Sequence, residues 1–197
     1  ITAGSNNLLK DFEKGRISMT DESVFEVGQN IATTGGAVVY ENDLMQLIQY
    51  SPLTPKVATR PLVVVPPCIN KFYSMDLQPD NSLIRFMVDQ GNTVFLVSWR
   101  NPSEAHGQVG WDDYLENGPI AALHVAQEIT KVKQVNALGF CVGGTILTSA
   151  LAVLKERGED PVASLTLLTT LLDFSDTGEI GLFIDEKGVS AREGTIG

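Results

Sequence analysis

Basic residues are in short supply: Lys and Arg total 14 against 24 Asp and Glu, leaving a formal net charge of −10 over 197 residues. An acidic surface repels phosphate backbones, so nucleic-acid binding is not expected. Electrostatic attachment to an anionic membrane is disfavoured for the same reason. Cysteine is scarcer, with Cys68 and Cys141 too few for a disulfide framework, and both are expected as reduced thiols in a reducing compartment. No apolar run reaches the roughly 18 residues of a transmembrane helix. The chain opens at Ile1 without a signal-like segment. Internal repeats and low-complexity tracts are missing too. The two histidines, His106 and His124, both precede Cys141, and no metal site is expected. What remains is an ordinary globular composition, 43% hydrophobic and 19% charged, sufficient for one packed core or a large part of one.

Residues 1–60 read as a lead-in of short strands and a helix. Gly36 opens a strand through Ala37-Val38-Val39-Tyr40, and Asn42 is expected to cap a short helix over Asp43–Tyr50, ended by Ser51-Pro52. From Pro61 the rhythm changes, and residues 61–197 read as a second unit. Leu62–Val65 is a short β-branched run stopped by Pro66-Pro67, the mark of a buried strand. Ser82 leads a helix with Leu83, Ile84, Met87 and Val88 on one face, and Gly91 ends it. Strands follow over Thr93–Trp99, Val135–Phe140 and Ser164–Leu172, with helices over Pro119–Ile129 and Thr145–Arg157 between them. Strand–helix alternation of this kind predicts a mostly parallel sheet with helices on both faces.

Gly139-Phe140-Cys141-Val142-Gly143 stands between a strand and a helix. It is the nucleophile-elbow pattern G-x-S-x-G of α/β-hydrolase folds with Cys in the place of Ser. The glycines leave room for a turn in which side chains would collide with neighbouring backbone. Cys141 would stand above the sheet at a helix N-terminus, where a thiolate is favoured, and the Val142 N–H would face a developing oxyanion. The alternative is a buried structural Cys beside a glycine-rich turn. Cys68 follows the Leu62–Val65 strand, expected to neighbour the elbow strand, so both thiols would lie at the carboxyl ends of adjacent strands. Cys68 is read as lining the site or as a small apolar filler. In the loop Pro67-Cys68-Ile69-Asn70, the Ile69 N–H is the candidate second oxyanion donor.

The triad order in such folds is nucleophile, acid, base, so neither histidine stands where the base should. His124 is expected to pack within its helix, and His106 to be solvated in a polar loop. Asp173 is the in-chain acid by position, and also reads as part of a hydrogen-bonded turn. Lys71 and Arg100, in loops after strands, are candidates for holding an anionic group.

Four blocks together resemble the class I polyhydroxyalkanoate synthases: Pro66-Pro67-Cys68-Ile69-Asn70-Lys71-Phe72-Tyr73, Val97-Ser98-Trp99-Arg100-Asn101-Pro102, Gly139-Phe140-Cys141-Val142-Gly143-Gly144-Thr145 and Leu167-Leu168-Thr169-Thr170-Leu171-Leu172-Asp173-Phe174. The Phe140 and Val142 flanks look like the short-chain class. The resemblance implies an α/β-hydrolase-type core, incomplete at both ends, in a cytoplasmic acyltransferase at the surface of a polyester granule. Its substrate would be a 3-hydroxyacyl-CoA, with no separate cofactor; its partners would be the growing polyester and, in the full protein, a second copy in a homodimer. Cys141 matches the family's nucleophile, and Val142 and Ile69 its oxyanion donors. The family's catalytic Asp and His lie beyond residue 197, so the chain reads as a partial synthase. The alternatives are an ester or thioester hydrolase and a non-catalytic granule-associated piece.

Overall fold

The computed structural model describes residues 2–196. One six-stranded sheet organises the chain, in the order β1-β2-β4-β3-β5-β6. Its strands are β1 (Gly36–Glu41), β2 (Met45–Tyr50), β3 (Leu62–Val65), β4 (Val94–Trp99), β5 (Val135–Phe140) and β6 (Val162–Leu168). β4, β3, β5 and β6 run parallel, while β1 and β2 form a hairpin joined antiparallel to β4. Six helices accompany them: α1 (Thr2–Lys14), α2 (Leu83–Asp89), α3 (Trp111–Leu115), α4 (Ala121–Thr130), α5 (Val142–Glu156) and α6 (Glu186–Ile196). None is long and apolar enough to cross a membrane among the described residues.

Side-chain alternation along the strands divides the core in two. Val63, Val65, Phe95 and Val97 face α4 and α5, against Leu123, Ala126, Ile146, Leu147, Ala150 and Leu154. Val64, Leu96 and Leu138 face the other way and are covered by Ile84, Met87 and Val88 of α2. Helices thus lie on both faces, as the alternation predicts. Leu83 departs from its expected place and is partly exposed, because the buried stripe of α2 runs through Ile84, Met87 and Val88.

The segment expected as a helix over Asp43–Tyr50 is the strand β2. Asn42 does cap it, but as a turn: its Oδ1 accepts from the N–H groups of Leu44 and Met45, both at 2.9 Å. β2 then pairs on both sides, Met45 opposite Trp99 and Gly36 opposite Tyr50. Two ladders satisfy its backbone, an outcome that local sequence cannot display. β6 ends at Leu168, four residues before the expected limit, because Thr169 turns to φ 45°.

A buried carboxylate ties the early residues to the later ones. Asp76 is 2% exposed, and its Oδ1 accepts from the hydroxyls of Thr34 and Ser82, each at 2.6 Å. Its main-chain oxygen accepts from Ala32 N–H at 2.9 Å. Ser82 also caps α2 by accepting from Arg85 N–H at 2.8 Å. Burial, followed by the Asp76 charge, pushes the Tyr50 phenol well above its ordinary pKa.

Leu147, fully buried on α5, and Phe86, 59% exposed on α2, should respond differently to truncation. Leu147→Ala is expected to cost about 2–5 kcal/mol through the cavity it leaves, and Phe86→Ala no more than about 0.5 kcal/mol. Urea unfolding midpoints compare them directly.

Candidate active site

β5 delivers Gly139 and Phe140 to the carboxyl edge of the sheet, and α5 begins at Val142. Cys141, between them, has φ 52° and ψ −129°. This is a left-handed conformation that a non-glycine residue adopts at a cost of about 1–3 kcal/mol. It is over-determined on both sides. The Cys141 N–H donates to Leu168 O at 2.8 Å, continuing the ladder to β6. Its carbonyl accepts from Gly144 N–H at 2.9 Å in the first turn of α5.

Three contacts explain the glycines. A Cβ at Gly139 would stand 2.4 Å from Gly144 Cα, and one at Gly144 would stand 2.0 Å from Thr170 Oγ1. At Gly143 it would meet Val65 O at 2.3 Å and the Pro66 carbonyl at 2.5 Å. The start of α5 is thus wedged between the end of β3 and the loop after β6. Thr145 fastens that loop, its hydroxyl donating to Leu171 O at 2.8 Å.

Cys141 is exposed and Cys68 half-buried. In-register pairing of Val65 with Gly139 puts both cysteines just beyond the carboxyl ends of neighbouring strands. Burial pushes the Cys68 thiol above its ordinary pKa. Tyr114, on α3, packs on the same side of the sheet; burial raises its phenol too, with a lesser contribution from Cys68. Val142 opens α5, where the first amides have no intrahelical acceptor. Ile69 is 81% exposed in a turn closed by Asn70 N–H to Pro67 O at 3.1 Å. Lys71 and Arg100 are exposed just beyond β3 and β4.

Neither histidine is hydrogen-bonded to a thiol among the described residues. His124 is a surface group rather than the expected packed one, its Nε2 2.9 Å from Glu159 Oε2. Glu159 lies past the C-terminal end of the 15-residue α5, a helix length of roughly 22 Å from the turn at Cys141. His106 ends a short 3-10 turn, where its Nδ1 accepts from Ser103 N–H at 3.1 Å. Asp173 is exposed, and its Oδ1 accepts from Ser175 N–H at 2.9 Å. That bond holds its carboxyl below the ordinary pKa. The turn reading of Asp173 therefore describes it; it stands five residues past β6. Among the described residues no group of His, Cys, Asp and Glu could hold a metal. A cleft of about 770 Å³ lined by Arg60, Lys133 and Gln134 opens at the opposite edge of the sheet and takes no part in this site.

Thr145, Thr170 and Trp99 were legible in sequence as members of expected elements and of the matching blocks, not as residues that fasten the elbow. Trp99 donates through Nε1 to Pro66 O at 2.8 Å in a buried hydrogen bond. Nothing in its local sequence announces that partner.

With this geometry in view, residues 61–196 match the family described as alpha/beta hydrolase fold, and residues 1–87 match that described as the N-terminus of poly-beta-hydroxybutyrate polymerase. A poly(3-hydroxyalkanoate) polymerase subunit of Cupriavidus necator is 58% identical over 197 residues, all of this chain and 33% of the relative. One from Rhizobium meliloti is 40% identical over 200 residues, covering all of this chain and 33% of the relative. Poly(3-hydroxyalkanoate) polymerase 1 of Ectopseudomonas oleovorans is 42% identical, covering 96% of this chain and 34% of that one. The chain thus spans about a third of the length of these relatives. Among solved structures, an α/β hydrolase from the metagenome of Lake Arreo superposes with TM-score 0.55 at 14% identity, over 91% of this chain and 55% of that one. The esterase rPPE gives 0.53 at 16% identity, over 90% and 60%. At such identities these two show the fold alone.

Exposure and burial predict an order of thiol reactivity. Brief iodoacetamide treatment followed by peptide mass mapping is expected to modify Cys141 ahead of Cys68. Because the raised pKa of Cys68 leaves less thiolate at a given pH, its alkylation should rise only at more alkaline pH than that of an ordinary thiol. Equal rates at pH 8 would contradict this assignment.

Proposed function

This chain belongs to the α/β hydrolase fold family, and we propose that it is the nucleophile-bearing part of an acyltransferase that polymerises 3-hydroxyacyl-CoA into polyhydroxyalkanoate. The observation that carries the reading is Cys141 itself. An exposed thiol is held in a strained strand-to-helix turn, at the start of a helix, in a chain resembling poly(3-hydroxyalkanoate) polymerases along its whole length. Strain held in place by bonds on both sides is characteristic of a functional position.

In the proposed reaction, the Cys141 thiolate attacks the thioester carbonyl of a hydroxyacyl-CoA. A bond forms between Sγ and the carbonyl carbon, and the negative charge moves to oxygen, facing the N–H groups of Val142 and Ile69. The carbon–sulfur bond to CoA then breaks, CoA leaves as a thiol after taking up a proton, and a hydroxyacyl thioester remains on Cys141. Exchange of one thioester for another is nearly balanced in energy, so the acyl group stays activated for transfer. A hydroxyl, stripped of its proton by a base, attacks this acyl thioester; its oxygen bonds to the carbonyl carbon, the bond from that carbon to Sγ breaks, and Cys141 takes up the proton to become a thiol again. His124 pairs with Glu159 and Ser103 holds Nδ1 of His106, and triad order puts the base after the nucleophile, so the base is assigned to a His oriented by an Asp in the part of the relatives' length that this chain does not span.

Cys68 lines the site without attacking substrate: half-buried, with a raised pKa, it is the poorer nucleophile. No separate cofactor is required. The same reading assigns a cytoplasmic location, the growing polyester and its granule surface as partners, and a second copy in a homodimer.

In the full-length enzyme, Cys141→Ala is expected to abolish CoA release from 3-hydroxybutyryl-CoA. Cys68→Ala should reduce turnover yet leave an acyl adduct on Cys141, detectable by peptide mass analysis. An adduct on Cys68 would overturn the assignment. Release of free 3-hydroxybutyrate in place of polymer would identify a hydrolase.

A further inference from the structure

We propose that Trp99 is a positioning residue that sets the gap between the two oxyanion donors, the N–H groups of Val142 and Ile69. The inference rests on the acyl-transfer reading above. The donors belong to segments far apart in sequence, one opening α5 and the other in the turn after β3. An oxyanion hole acts only when both donors stand about 2.7–3.1 Å from one oxygen, a tolerance of roughly 0.5 Å. Some contact between the segments must fix that spacing.

The contact is the Pro66 peptide. Gly143, next to Val142, lies so close that a Cβ there would stand 2.5 Å from the Pro66 carbonyl atoms. Pro66 is also where the sheet stops holding the chain. The ladders of β3 end at Val64 opposite Leu96 and at Val65 opposite Gly139. Pro66 and Pro67 have no N–H to extend them. The Trp99 indole replaces the missing ladder, reaching from the neighbouring strand to donate to Pro66 O at 2.8 Å. Three residues further on stands Ile69, in the turn that Asn70 N–H closes on Pro67 O.

Trp99 can serve as a fixed reference because it is itself held. It ends β4 opposite Met45 and is 7% exposed. Its ring lies over Gly118, where a Cβ would stand 2.4 Å from Cη2. Gly118 sits in a kink between α3 and α4, with non-helical φ −101° and ψ −108°, directly before Pro119. The Tyr114 ring packs at 5.6 Å between centroids. One hydrogen bond thus transmits the position of β4 to the loop that faces the elbow.

A Trp that merely satisfied its own N–H would affect stability and leave the chemical step alone. The decisive variant replaces Trp99 in the full-length enzyme by benzothienylalanine, which keeps the bicyclic ring and lacks the N–H. Trp99→Phe serves as its genetic counterpart. Acylation of Cys141 by 3-hydroxybutyryl-CoA is followed by rapid quench and peptide mass analysis, and amide exchange is measured across residues 68–70. Both variants are expected to acylate about 10–100-fold more slowly at saturation, with half-saturating substrate changed less than about threefold. Exchange at Asn70, whose N–H closes the turn on Pro67 O, should be faster and exchange within β5 unchanged. Acylation at the normal rate in the benzothienyl variant would overturn the proposal, and that variant decides alone where Trp99→Phe fails to fold. If the unmodified enzyme places no acyl group on Cys141, the acyl-transfer reading falls. Exchange at Asn70 in the benzothienyl variant then decides the positioning claim: faster exchange upholds it, and unchanged exchange overturns it.

Discussion

The peptide planes of Val65 and Pro66 lie against Gly143 at a separation that excludes even a methyl group. From that contact the local structure follows. Small residues are required at the start of α5 because strand and helix meet there backbone to backbone. Cys141 turns to positive φ because the chain must reverse from β5 into a helix whose first turn abuts β3. The loop after β6 closes the third side, with Thr170 against Gly144 and Thr145 bonded to Leu171. Displacing any of these walls would displace the thiol.

A strained turn of this kind needs a rigid foundation. Ile146, Leu147, Ala150 and Leu154 are essentially inaccessible along α5, and each large apolar side chain contributes about 1.5–3 kcal/mol by burial. The helix that carries the strained residue at its head is thus among the most firmly seated in the molecule. Local conformational cost of about 1–3 kcal/mol is offset at a distance, by packing that begins one turn after Gly143.

What could be read from sequence was what is encoded locally. β3 announces itself as a short β-branched run, β4 and β5 as short, largely apolar ones with sharp boundaries, and the elbow by its glycines. Leu44, Met45, Leu47 and Ile48 fit helical spacing as well as strand spacing, and only pairing with β1 and β4 decides between them. His124 has apolar neighbours in sequence, yet points outward to Glu159, a partner 35 residues away. The bond from Trp99 to Pro66 spans 33 residues, and no residue type at either end predicts it. Legibility failed where the determining partner was distant.

Residue 60 divides two kinds of topology within one sheet, a hairpin before it and parallel crossovers after it. Asp76 stitches across that line through Thr34 and Ala32. A polypeptide begun at residue 61 would therefore be more than a shortened version of this one. It would bare the β4 edge that β2 now covers, offering an open row of amides and carbonyls to other chains. It would also take the Thr34 hydroxyl from a buried carboxylate whose other oxygen already lacks a partner among the described residues. Dissection at this point would yield material prone to aggregate, because the boundary legible in the sequence runs through one continuous sheet.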